Sequence, residues 1–474
     1  MKRNIVYLFL LMTLFSSCKK YLDLVPKGKI VLEEAEDFHK LVSFPNRGYA
    51  TNQFMYLVDD YWMREAYVIG QTKTTDIFNF TYDSSVSRVV RFTTSSLYNR
   101  VYVYINQWNM IIDGVDNSKG PDSLKTLAKA EARIFRAFDH FLLVNTFAKH
   151  YNAATAETDG GICIMDKYDL EAKPVKASVA EVYRFVEKDI DESIPHLQVT
   201  PADPYHPSLA FAYALKAKVH LFKKEFDKAE AAALKSLEYN NVIFDLVDYA
   251  AKGGTAAIKM PAGTNPEILS IMFMTGYTEM NIAYSQNFSP ELRNLFGATD
   301  ARFRLFYNTT NASFLDIGAG TTYWSARHTD YFYPSVGMRT PEVYLMLAEC
   351  YARRGALDKA METLNLLRSK RITSPADAVL PTPATEVETV KLIINERRRE
   401  MVHGFNRFWD LRRFNTEPAY AKTLERRFPI VSTAVPQQTY TLPPGSQLYI
   451  LPFAQDVLKQ NPGLTINTNE ALPW

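Results

Sequence analysis

Two groups of acidic residues stand where carboxylates could do chemistry. Asp59 and Asp60 lie just before Trp62. Glycoside hydrolysis needs two carboxyl groups facing each other across one bond, about 5–9.5 Å apart. Sequence neighbours do not supply that arrangement by themselves. Glu396 and Glu400, four residues apart and flanked by Arg397, Arg398 and Arg399, share one face of a helix. Mixtures of this kind form ion pairs, so they are expected to be structural. The eight histidines form neither HExxH nor HxH, and no metal centre is predicted. No GxSxG or phosphate loop occurs, and Gly318-Ala319-Gly320 lacks the residues that would make it a nucleotide motif. No catalytic residue, metal or cofactor is expected.

The aromatic residues offer a different chemistry. They make up 13 % of the chain, with 28 Tyr and 29 Phe. Tyr and Trp present a ring for stacking and a polar handle for hydrogen bonding. Three non-periodic stretches mix rings with Asp, Asn and Arg. Residues 52–67 hold Tyr56, Asp59, Asp60, Tyr61, Trp62 and Arg64; residues 78–83 hold Phe78, Asn79 and Tyr82; residues 323–333 hold Tyr323, Trp324, Arg327, Tyr331 and Tyr333. Trp62, Tyr82, Trp324 and Tyr331 are the ligand-binding candidates. Trp108 falls in a helical stretch and reads as packing. Trp409 reads as core or as a cover over the nearby Glu/Arg residues.

The amino terminus carries its own signal. Lys2 and Arg3 precede an apolar run from Ile5 to Phe15, followed by Ser16, Ser17 and Cys18. This is the layout of a cleaved secretory signal, and the run is too short to span a bilayer. Leu14-Phe15-Ser16-Ser17-Cys18 resembles a bacterial lipobox, which implies acylation of Cys18 and removal of residues 1–17. Loss of Lys2 and Arg3 brings the formal charge from +2 to zero, leaving no excess that argues for nucleic acid. Cys163 and Cys350 form no CxxC and read as buried packing, with a disulfide between them left open.

The elements expected to carry these groups are mostly helices. Residues 18–30 read as a tether and 31–42 as a helix. Residues 44–100 are irregular, and 101–116 and 122–150 are helical. A helix over 178–197 is closed by Pro195. Residues 208–241 and 339–371 repeat one pattern: Tyr213 matches Tyr344, Ala217 Ala348, Phe226 Leu357 and Ala229 Ala360, and Asp-Lys-Ala recurs at 227–229 and 358–360. This resembles the tetratricopeptide pattern of antiparallel helix hairpins, in which small residues allow close approach, Gly355 permits the turn, and Phe226 and Leu357 fill the wedge. Residues 242–338 lack periodicity and are expected to be elaborated loops with short helices or strands. Binding residues usually sit on such loops.

Four segments, in this order and spacing, resemble the SusD/RagB family. They are Cys18-Lys19-Lys20-Tyr21-Leu22-Asp23 with Pro26 and Gly28; Arg339–Glu349; the stretch 394–413 with Glu396, Arg397, Arg398, Glu400, Gly404, Arg407, Trp409, Asp410, Leu411 and Arg413; and Ile450-Leu451-Pro452 with Gln455, Asn461, Pro462 and Leu464. The resemblance implies a single mostly α body over 31–474, with tetratricopeptide-like hairpins as scaffold, a loop-rich side from 44–100 and 242–338, and a family segment over 388–474. It also implies a non-catalytic, lipid-anchored outer-membrane protein, exposed at the cell surface. Such a protein captures oligosaccharides, polysaccharides or peptides and passes them to a SusC-like TonB-dependent transporter. Sugars fit the ring-rich segments, because a pyranose stacks its C–H face on an aromatic ring and needs polar partners for its hydroxyls. The alternatives are an adaptor lipoprotein that holds a protein partner on its repeats and, on the Asp59-Asp60 pair, a glycoside hydrolase.

Overall fold

The helical periodicity of the sequence is realised element by element. The computed structural model describes residues 32–43, 47–51, 53–70, 74–252, 266–270, 272–275, 287–308, 323–324, 337–402 and 404–470. Cys18, the tether and Tyr331 lie outside the described residues, as does the side chain of Trp324. The principal helices are α1 (Ala35–Val42), α2 (Thr75–Phe80), α3 (Ser96–Gly114), α4 (Asp122–Phe147), α5 (Val179–Ser193), α6 (Leu209–Phe222), α7 (Phe226–Tyr239), α8 (Pro290–Asn294), α9 (Thr340–Arg353), α10 (Leu357–Ser369), α11 (Glu386–Glu400) and α12 (Asn406–Phe414). The strands are short and pair two by two. Parallel β1 (Gly48–Ala50) joins β5 (Phe273–Thr275). The antiparallel ribbons are β2 (Tyr61–Trp62) with β6 (Asn287–Phe288), β3 (Gly160–Cys163) with β4 (Lys176–Ser178), β7 (Tyr307–Asn308) with β8 (Tyr323–Trp324), and β9 (Leu424–Phe428) with β10 (Gln438–Leu442).

Helix α4 is the spine. From Ile134 to Phe147 nearly every side chain is buried, because α3 and α5 pack against it. A helix buried all round belongs in a core. Its polar residues are paired accordingly: Asp139 accepts from Tyr49 Oη at 2.6 Å and from Trp108 Nε1 at 2.7 Å. Trp108 is thus packing. Local signals set the helix starts. In α5, Ser178 Oγ accepts from Glu181 N at 3.2 Å while Glu181 Oε2 accepts from Ser178 N at 2.7 Å, a reciprocal capping box. Ser95 caps α3, so that helix begins before the expected residue 101. After Ser193 the chain tightens into a 3-10 turn containing Pro195, as the proline requires.

The two repeats fold as antiparallel hairpins, α6–α7 and α9–α10, and they stack through α7 against α9. Ala217, Ala229, Ala348 and Ala360 are buried at the close approaches. The tight turn of each hairpin places one residue in the left-handed region. In the second this is Gly355, at φ 79°, where an added Cβ would meet nothing within 4 Å. Its requirement is therefore conformational. The equivalent residue of the first hairpin is Lys224, at φ 62°. Leu345, Ala348, Leu364, Val390, Ile393 and Phe414 form a smaller core that seals the second hairpin against α11 and α12. Cys163 and Cys350 are both buried free thiols, with no disulfide between them. Among the described residues no helix is long and apolar enough to cross a membrane.

Candidate functional site

The end of α11 is a hub in which successive side chains enter different buried ion-pair networks. Glu396 accepts from Arg302 Nη2 at 2.7 Å, Arg368 Nη1 at 2.8 Å and Arg399 Nη2 at 2.5 Å. Arg397 Nε donates to Asp410 at 2.7 Å, and Asp410 also accepts from Arg413, which makes a two-pronged pair with Glu349 at 2.6 and 2.7 Å. Glu400 accepts from Arg302, Arg339 and Arg371. These acids are structural, as their spacing implied. Trp409 lies in the core, stacked on Phe405 with ring centroids 5.0 Å apart.

Arg398 carries the hub into the loop that bears Trp62. Its Nε donates to Asp60 Oδ1 at 2.9 Å and its Nη1 to Glu291 at 2.7 Å. Arg407 grips Asp59 through two bonds of 2.7 Å, and Lys422 adds a third at 2.8 Å. Burial alone would push Asp59 up. The cations of Arg398, Arg407 and Lys422 outweigh it and hold the carboxyl well below the usual range. Burial keeps Asp60 above its usual value despite Arg398. Both carboxylates serve as braces that fix the turn between Met55 and Trp62.

Arg426 completes the brace and was not singled out by sequence. It sits on β9, where side chains alternate between inside and outside, and its guanidinium points inward. It donates to the carbonyl oxygens of Tyr56, Val58, Tyr61 and Phe80. It also lies over the rings of Phe80, Tyr82 and Trp62, at 4.2, 4.6 and 5.9 Å from their centroids. Burial lowers its pKa. Inward alternation on an edge ribbon was the one available signal, and it does not name the partners.

These braces build a cleft of about 440 Å³. Asp59, Trp62, Tyr82, Ser289, Pro290, Glu291, Glu425, Arg426, Arg427, Ile430 and Gln437 line it. Two of the four ring candidates, Trp62 and Tyr82, therefore meet at one site. Each is largely buried, at 5 % and 6 % exposure, and Trp62 packs edge-on against Phe80, 5.4 Å between centroids. They form the back wall, and neither is an open platform. Tyr82 follows α2 with φ 52°, a conformation that costs a bulky residue about 1–2 kcal/mol. Its ring contact with Arg426 helps offset this cost. Burial pushes its phenol up to about 12. The rim is polar, with Arg427 Nη2 donating to Gln437 Oε1 at 2.8 Å. The backbone of Tyr323–Trp324 comes near the same region, since β8 lies beside β6 and β6 pairs with β2. Other clefts of 520 and 550 Å³, lined respectively by α5–α7 and by α3 with residues 163–174 and 457–461, hold neither Trp62 nor Tyr82.

The architecture is that of a tetratricopeptide-like helical scaffold with a loop-built cleft. A family model described as "SusD family" matches residues 239–469, and one described as "Starch-binding associating with outer membrane" matches residues 30–221. The chain belongs to the SusD/RagB-like family. Among solved structures, a SusD superfamily protein from Bacteroides thetaiotaomicron is 19 % identical with a TM-score of 0.71, over 92 % of this chain and 100 % of that one. A SusD-like carbohydrate binding protein from Bacteroides vulgatus is 17 % identical with a TM-score of 0.68, over 93 % and 99 %. A laminarin binding SusD-like protein is 17 % identical with a TM-score of 0.56, over 83 % and 96 %. At these identities the likeness establishes the fold. No match was found among curated proteins.

Proposed function

We propose that this chain binds glycans at the Trp62–Tyr82 cleft, without catalysis, and delivers them to a SusC-like TonB-dependent transporter in the outer membrane. The observation that carries this reading is the convergence of two aromatic side chains, an amide and several charged groups in one cleft on the loop side of the scaffold. A wall backed by ring edges and a rim of hydrogen-bonding groups suit the C–H and hydroxyl groups of a sugar. Non-catalysis is supported by the engagement of Asp59 and Asp60 with arginines and Lys422. The family description matched over residues 30–221, which names starch binding and outer-membrane association, and the laminarin-binding neighbour point to glucans as first probes.

Trp62→Ala is a poor probe of binding, because emptying a buried indole site costs about 3–5 kcal/mol of stability. The exposed rim is the better place. The double variant Arg427→Ala/Gln437→Ala should keep its melting temperature and bind its glucan about tenfold more weakly, the equivalent of two modest hydrogen bonds. Calorimetric titration of wild type and variant with laminarin and with amylose oligosaccharides tests this. Unchanged affinity in a wild type that binds would remove the cleft; no binding to either glucan would reject glucans as the ligand.

The anchor is proposed at Cys18. Cys18→Ala should move the protein from the membrane fraction to the soluble fraction and abolish labelling by a clickable fatty acid. Persistent labelling would refute acylation at this residue. Delivery to the transporter predicts that native pull-downs recover a large β-barrel protein, and repeated failure to do so would count against that role.

A further inference from the structure

We propose that His39, Glu131 and His206 form a site for one divalent transition-metal ion, zinc by preference, which clasps the amino-terminal helix to the body. His39 lies on α1, Glu131 on α4, and His206 in the turn before α6. Glu131 Oε2 lies 2.8 Å from His206 Nδ1 and 3.1 Å from His39 Nε2, and one ligand atom from each residue falls within 4.8 Å of the other two. Ligands bound tetrahedrally at about 2.1 Å stand about 3.4 Å apart. An ion therefore needs the His206 contact to open by about 0.6 Å and the His39 contact by about 0.3 Å.

The surroundings favour an ion over a simple hydrogen-bonded trio. Glu131 is fully buried, and among the described residues its Oε1 has no hydrogen-bond partner. His39 Nε2 is likewise without a well-aligned partner there. A buried acceptor left unmet is costly, and a cation held by both carboxylate oxygens would meet it. The two imidazoles are stacked, with ring centroids 4.4 Å apart and planes at 29°, so both present a ring nitrogen to the same side of Glu131. Asp203 Oδ2, which accepts from Ser43 Oγ at 2.9 Å, lies 3.7 Å beyond His206 Nε2. At that distance it is a charged neighbour on the far side of the ring, outside hydrogen-bond reach. His39 is the most exposed of the three, with 14 % of its side chain accessible, and provides the way in.

A second cluster sharpens the contrast. Glu187, His220 and Glu225 also converge, but Lys223 Nζ reaches Glu187 at 2.6 Å and Glu225 at 3.1 Å. A cation is already supplied there. The spacing 39/131/206 matches no motif, so sequence reading, which predicted no metal, had no signal for it.

The purified chain, stripped with a chelator and then given ZnCl2 or CoCl2, tests the proposal. Wild type should retain one zinc per chain after desalting, gain several degrees in melting temperature with zinc, and develop visible absorption with cobalt. His39→Ala, at the accessible edge, should fold by circular dichroism and lose all three responses. A wild type that retains no zinc, or a His39→Ala variant that retains as much as wild type, would overturn the site. Because glycan binding is measured at a different cleft, either proposal can fail alone.

Discussion

Glu396→Ala should destabilise the protein by about 3–5 kcal/mol, the usual cost of removing one partner from a buried ion pair. Glu396 is fully buried and neutralises parts of Arg302, Arg368 and Arg399. Arg302 would keep Asp300 and Glu400, whereas Arg368 would be left donating only to the carbonyls of Ala378 and Asp377. Most of the loss comes from that uncompensated charge. The exposed pair Lys40–Glu36 provides the control, since Glu36→Gln should leave the urea midpoint essentially unchanged. Urea unfolding followed by circular dichroism measures both. A Glu396→Ala loss below about 1 kcal/mol would show that the network is not needed for the fold.

Acid should unfold the protein steeply below about pH 4.5. Burial alone would raise Glu400, but Arg371, Arg339 and Arg302 bring it down to about 2 from 4.5. Asp410, also buried, is brought to about 2 from 3.8 by Arg397 and Arg413. A depressed carboxyl contributes stability that is fully present above its unfolded value and is lost as pH falls through the folded one. For Glu400 the difference corresponds to about 3 kcal/mol.

Two opposing sets act at milder pH. Burial raises Asp139 and Asp76 to about 6, so the folded state takes up their protons first and gains stability as pH falls from 6 towards 4. Burial lowers His140 to about 3 and His150 well below its usual value, so stability is lost as pH falls below 6.5. These contributions largely offset between pH 6.5 and 4.5. Below that window the gain from Asp139 and Asp76 tails off towards their unfolded value of 3.8, while the losses from His140, Glu400 and Asp410 run together. Urea midpoints at pH 7, 5 and 3 should therefore show a small first step and a large second one. Equal midpoints at pH 5 and 3 would contradict the charged state assigned to the hub.

Much of this was legible along the chain. The period of α3 to α7 and of α9 to α11 and the matched alanines of the two hairpins are local patterns, and each folds as its spacing implies. The Glu396–Glu400 stretch could be read as ion pairs because residues four apart share a helix face. The partners of those residues could not be read. Arg302 and Glu291 come from the loop-rich half, and Asp59 and Asp60 from near the amino terminus. The expectation that 44–100 would be wholly irregular missed α2 and the start of α3, because one or two helical turns carry little periodic signal.

The sequence by itself determined the helical scaffold, the repeat and the family resemblance, since all three rest on residues that interact with near neighbours or recur at fixed intervals. Only the tertiary structure decided that Trp62 is a wall of a cleft, that Arg426 braces it, and that His39 faces Glu131 and His206. Those assignments depend on chain segments far apart in sequence meeting in a close-packed interior, and no local period or propensity encodes which distant side chain a buried charge will find.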